Sequence, residues 1–231
     1  MEPTSHPRIK ICCIMSAAEL ALAVRAGANA IGLVGAMPSG PGPIDDALIA
    51  DLARRTPPGV SSFLLTSRQT ADGIIAHHRL TGTTTIQIVD VLPHGSYVAL
   101  RAALPGVKLV QVIHVTGEPS VDEALAVAPD VDALLLDSGN PSIAIKELGG
   151  TGRRHDWALS RRVRELAPVP VFLAGGLRAE NVREAIDTVS PFGLDVCSGV
   201  RTNGRLDPAR LEAFMDAAGR AVPLPVGTTF P

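Results

Sequence analysis

Three side chains in this sequence are suited to moving a proton. Lys10 and Cys12 stand two apart in Arg8-Ile-Lys-Ile-Cys-Cys-Ile14, and Asp137 closes the apolar run Val131-Asp-Ala-Leu-Leu-Leu-Asp137. A thiolate can abstract a proton and a carboxylic acid can return one. Side chains alternate along a strand, so Lys10 and Cys12 share one face and Ile11 and Cys13 share the other. Lysine is poorly suited to an apolar helix layer, which turns Lys10 and Cys12 inward and leaves Cys13 as a packing residue. An ammonium nearby favours a thiolate at Cys12, the candidate reactive thiol. The competing reading makes both cysteines small buried hydrophobes. Asp137 has two readings as well: cap of the loop that follows it, or catalytic acid.

Three glycine-rich turns accompany these groups: Gly149-Gly-Thr-Gly152, Ala174-Gly-Gly-Leu177 and Cys197-Ser-Gly-Val-Arg201. Backbone N–H groups exposed on such turns hold phosphate without a basic patch. One such turn is only a tight connection, whereas three together predict a phosphorylated ligand. The histidines point elsewhere. His77-His78 falls on a helix expected at the surface, His94 and His155 on loops, and His114 at a strand end where ligand contact and a satisfied core position are equal readings. The sequence has neither a metal-ligand cluster of recognisable spacing nor a nucleotide fingerprint.

The elements that must position these groups repeat eight times as strand then helix. Expected strands are 8–14, 30–34, 60–65, 84–89, 109–115, 133–136, 169–173 and 193–197. Expected helices are 16–25, 45–55, 69–79, 95–103, 120–128, 156–166, 179–188 and 207–218, with Ser16, Ser120 and Asp156 as caps. Eight units without a composition break predict a single-domain α/β chain, a closed (β/α)8 TIM barrel; an open doubly wound sheet is the alternative. Residues 1–7 are expected as an extension, 8–219 as the barrel and 220–231 as a proline-rich tail. In such a barrel, reactive groups come from the C-terminal strand ends, where Cys12, Asp137 and two of the glycine turns fall.

Composition agrees with one buried parallel sheet, with 46% hydrophobic and 3% aromatic residues in 231. A formal charge of -2 provides no broad basic field for nucleic acid or anionic lipid. Three cysteines, two of them adjacent, form no disulfide framework and suit a reducing, cytoplasmic setting. No apolar run reaches membrane-spanning length, so a soluble protein without membrane or nucleic-acid partners is expected.

At six places the chain resembles the phosphoribosylanthranilate isomerase family of tryptophan biosynthesis. They are Lys10-Ile-Cys-Cys-Ile14, Ala26-Gly-Ala-Asn-Ala-Ile-Gly-Leu33, Leu136-Asp-Ser138, Gly149-Gly-Thr-Gly152 with Asp156-Trp157, Leu173-Ala-Gly-Gly-Leu177 with Asn181-Val182, and Asp195-Val-Cys-Ser-Gly-Val200. The resemblance implies a metal- and cofactor-free Amadori rearrangement of a phosphosugar by a monomer or homodimer. Cys12 takes the general-base role and Asp137 the general-acid role, with the acid's pKa raised by enclosure. Phosphate falls to Gly176, Ser198 and Gly199, near Gly150 and Gly152; Gly175, Lys10 and Arg201 complete the expected binding set.

Four departures stand against this. Ser39-Gly-Pro-Gly-Pro43 lacks the family's arginine for the anthranilate carboxylate, and Val89 replaces a histidine. Arg201 replaces a glutamate, and Cys13 replaces a glycine. Either Arg68, Arg154 or Arg201 substitutes for the missing arginine, or the substrate lacks anthranilate. The competing functions are a paralogue acting on another phosphosugar and a phosphometabolite binder without turnover.

Overall fold

The computed structural model describes residues 7–139 and 155–219. Its strands are β1 (Arg8–Ile11), β2 (Ala30–Val34), β3 (Ser61–Thr66), β4 (Thr85–Ile88), β5 (Lys108–His114), β6 (Ala133–Asp137), β7 (Val171–Leu173) and β8 (Gly193–Val196). The intervening helices are α1 (Ala17–Arg25), α2 (Asp46–Arg55), α3 (Ala71–Thr81), α4 (Ser96–Ala103), α5 (Pro119–Val127), α6 (Trp157–Leu166), α7 (Val182–Val189) and α8 (Pro208–Ala217). Every neighbouring strand pair is parallel and β1 pairs with β8, so the sheet closes into a barrel.

Local chemistry sets the helix starts. Ser16, Asp45, Thr70, Asp156 and Asp207 each accept a backbone N–H of the first turn, satisfying donors that the helix leaves open. Ser120 is a correction, because α5 begins at Pro119, whose missing N–H costs nothing there. Ser120 lies within the helix, and its hydroxyl donates to the His114 carbonyl.

Alternation divides the apolar residues into two sets. Ile11, Ile31, Leu33, Leu64, Ile86, Leu134 and Leu136 face the helices. Phe63, Leu65, Val110, Val112, Leu135 and Phe172 fill the interior, with Phe63 and Phe172 edge to face at 6.1 Å. The histidine pair on α3 overturns the surface expectation. His77 and His78 are 2% and 8% exposed; His77 bridges Thr66 and Asp46, and His78 bonds the Thr83 carbonyl. Burial lowers the pKa of His77 against the pull of Asp46. A short hairpin, β9 (Arg201–Thr202) with β10 (Arg205–Leu206), precedes α8 outside the expected elements; its turn is Asn203-Gly204, both left-handed, a pair that tight hairpin turns favour.

Candidate active site

The C-terminal ends of the strands surround one cleft, lined by Cys12, Gln87, Asp137, Asp195 and Ser198 among others. Strand register brings its charged groups together. Lys10 stands opposite Asp195 across β1 and β8, and in a parallel pair both side chains point to the same face. The Lys10 ammonium, fully buried, lies 2.8 Å from Asp195 Oδ1, 3.4 Å from Cys12 Sγ and 5.3 Å from the centre of the Phe63 ring. Burial acts against its charge, but Asp195 and the Cys12 sulfur outweigh that and raise its pKa further. The ammonium thus meets protein groups beneath the cleft, and Lys10, expected as a ligand contact, is not among the residues lining it.

Room for this arrangement comes from Gly32 on β2. A Cβ there would lie 2.7 Å from the Cys12 sulfur and 3.1 Å from the Lys10 nitrogen, so a strand glycine marks close approach. Across the cleft, β5 and β6 place His114 beside Asp137. Asp137 Oδ1 accepts the Ser138 N–H at 2.7 Å. Burial, with the like charge of Asp195, raises the Asp137 pKa against the opposing pull of Ser138, His114 and Lys10. A carboxyl so placed keeps its proton to higher pH and can donate it.

The turns after β7 and β8 form the third wall. Gly175 and Gly176 have φ of +82° and +65° and line the cleft with Ser198. A Cβ at Gly199 would lie 2.0 Å from the Leu177 carbonyl oxygen, so the two turns pack backbone on backbone. Gly150 and Gly152 lie outside the described residues. Arg201, also expected as a ligand contact, likewise does not line the cleft. Its guanidinium donates to Glu19 and to the carbonyls of Cys12, Cys13 and Gly204, and the residue is 8% exposed. Although burial opposes a charged Glu19, Arg201 and the N–H groups of Leu206 and Met15 hold its carboxyl below the usual range. Arg201 thus ties the end of β1 to α1 and the β9–β10 hairpin.

Cys13 departs from its expected place. The strand ends at Ile11, and Cys13 takes a φ of +62°, which turns its sulfur from the helix layer to the cleft wall. Two groups went unassigned in the sequence. Asp195 shares a strand face with Cys197, and alternation could have placed it inward; Gln87, also inward, keeps a buried Oε1 with no hydrogen-bond partner. Among the described residues no arginine or lysine lines the cleft, no group of three or more His, Cys, Asp or Glu is arranged around a metal position, and no helix is long and apolar enough to cross a membrane.

Comparison with known proteins places this geometry in context. Residues 65–217 match the family model described as N-(5'phosphoribosyl)anthranilate (PRA) isomerase. The N-(5'-phosphoribosyl)anthranilate isomerase of Halobacterium salinarum is 38% identical, over 96% of this chain and 99% of its own. The phosphoribosyl anthranilate isomerase of Thermotoga maritima superposes with a TM-score of 0.78 at 27% identity, over 92% of this chain and 98% of its own. A phosphoribosyl anthranilate isomerase in complex with reduced 1-(o-carboxyphenylamino)-1-deoxyribulose 5-phosphate superposes at 0.75 with 25% identity, over 92% and 98%.

Proposed function

This chain belongs to the N-(5'-phosphoribosyl)anthranilate isomerase family, and from that premise we propose that it converts N-(5'-phosphoribosyl)anthranilate into the 1-amino-1-deoxyketose. The observation that carries the reading is a thiol with a buried ammonium beside it and a carboxyl whose pKa burial raises, both lining one cleft. In the reaction Asp137 gives its proton to the ring oxygen as the ring opens to an iminium ion. The iminium acidifies the C2 proton, and the Cys12 thiolate removes it. The enol so formed becomes the ketone, with no net gain or loss of atoms. Lys10 is a positioning residue that donates to the Cys12 sulfur from below and holds Asp195 in place.

The phosphate is read onto the Gly175-Gly176 and Ser198-Gly199 turns, where backbone N–H groups bind it without a basic side chain. For the anthranilate carboxylate, Arg201 is committed to Glu19 and exposed Arg68 does not line the cleft. Arg154, the third arginine considered, lies outside the described residues. Steady-state assays on Cys12→Ala and Asp137→Ala test the chemistry. Each should lower kcat/KM by roughly 10²–10⁴-fold, and wild-type turnover in both would end the assignment. The lack of an arginine or lysine in the cleft lining, among the described residues, favours a second reading, an aglycone without a carboxylate. If Arg154→Ala leaves KM for the anthranilate substrate unchanged, that second reading gains.

A further inference from the structure

The ends of β1 and β8 present two thiols that no step of the isomerisation uses. Cys13 Sγ and Cys197 Sγ stand 2.8 Å apart at the cleft wall. Cys13 is buried and fixed from three directions: its backbone is left-handed, its carbonyl accepts from Arg201, and its sulfur lies 3.4 Å from the Pro41 carbonyl oxygen. Cys197 is only partly buried and borders open space. A disulfide bond is about 2.05 Å long, so closing the pair takes under about 1 Å of sulfur movement from the observed separation.

We infer that Cys13 and Cys197 are a reversible disulfide site, closed by hydrogen peroxide and reopened by a small thiol reductant. The two sulfurs are unlike in the way such chemistry requires. Hydrogen bonding with Cys13 and the nearby Arg201 guanidinium hold Cys197 below the usual thiol range despite its burial. Hydrogen bonds with Cys12 and Cys197, together with burial, push Cys13 up. The more accessible sulfur is thus the nucleophile, and the buried one keeps its proton until needed. The Cys197 thiolate attacks peroxide, becoming a sulfenic acid as the O–O bond breaks and hydroxide leaves. The Cys13 sulfur then attacks that sulfur, the S–S bond forms, and the sulfenyl oxygen departs as water. In sum two thiols and one peroxide give one disulfide and two waters.

The effect on turnover rests on the isomerase reading. The bridged residues directly flank Cys12 and Ser198, and a shift of about 1 Å in reacting groups costs roughly 100-fold in rate. The test treats the whole protein with one equivalent of hydrogen peroxide, blocks remaining thiols by alkylation, and maps peptides without reduction. Wild type and Cys12→Ser should lose two hydrogens and yield one cross-link joining Cys13 to Cys197, reversed by dithiothreitol. Cys13→Gly and Cys197→Ser should yield none. A cross-link through Cys12, or sulfinic acid at Cys197 in place of a cross-link, would overturn the site whatever the substrate is. Turnover, each protein compared with itself before oxidation, should fall at least about 10-fold in wild type and recover with dithiothreitol, while Cys13→Gly is spared. If Cys13→Gly loses turnover as fast as wild type, the inactivation belongs to Cys12 and the regulatory half is overturned.

Discussion

On the β1–β8 side of the cleft the charges are already answered by the protein: Lys10 by Asp195, and Arg201 by Glu19. On the β4–β5 side, buried polar atoms remain open, namely Oε1 of Gln87 and Nδ1 of His114. Buried polar groups in native proteins are nearly always paired, so an exception needs an explanation. One side has its charges paired before substrate arrives, although Arg201 Nε is left without a partner, and fixes the thiol. The other holds hydrogen-bonding capacity that the protein's own groups leave unused.

Substitutions on each side should therefore fail differently. Lys10→Met leaves Asp195 charged and without its cation, so thermal or urea unfolding should show a loss of about 3–5 kcal/mol. If stability holds, Lys10 does not offset a buried charge on Asp195. Gly32→Ala forces a methyl group against the Cys12 sulfur, and a misplaced base should cost turnover about 100-fold with a small change in melting temperature. Gln87→Leu should raise KM by about 10-fold, the worth of roughly one hydrogen bond, while stability stays level or rises because an unsatisfied acceptor is removed. A stability loss there would mean that the two sides are built alike.

The smallest expected effect is on pH. A general acid works only while protonated, so kcat/KM falls as pH rises through the Asp137 pKa, which burial and Asp195 place above the ordinary aspartate range. Asp195→Asn removes the like charge and frees Lys10 to draw on Asp137, so this basic limb should move to lower pH. A limb that stays in place would separate Asp137 from the charges across the cleft.

Much of this architecture could be read from residue order. Short apolar runs spaced by helix-length segments, with Ser16 and Asp156 at helix starts, led directly to eight units, and Asp137 at a strand end led to the cleft. Extending β1 to Ile14 carried the two-residue alternation past the last paired residue, which sent Cys13 to the wrong face. Backbone hydrogen bonding enforces that period, and the pattern ends with the ladder. His77 and His78 were misplaced because their polarity outweighed their spacing. Ile74, His77, His78 and Thr81 form an i, i+3, i+4, i+7 stripe, and the partners of His77 lie on α2 and β3, far along the chain. The commitment of Arg201 to Glu19 spans 182 positions and has no local signal.

Closure of the ring by its first and last strands also sets a schedule for synthesis. Lys10 leaves the ribosome 185 positions ahead of Asp195, and until β8 follows, its ammonium must stay hydrated and the barrel open along one seam. A chain arrested after β6 already carries both proton-transfer groups, yet it has no anion with which to bury the cation between them. The isomerase chemistry thus matures only when translation is nearly over, and premature termination products should be inert and dependent on chaperones.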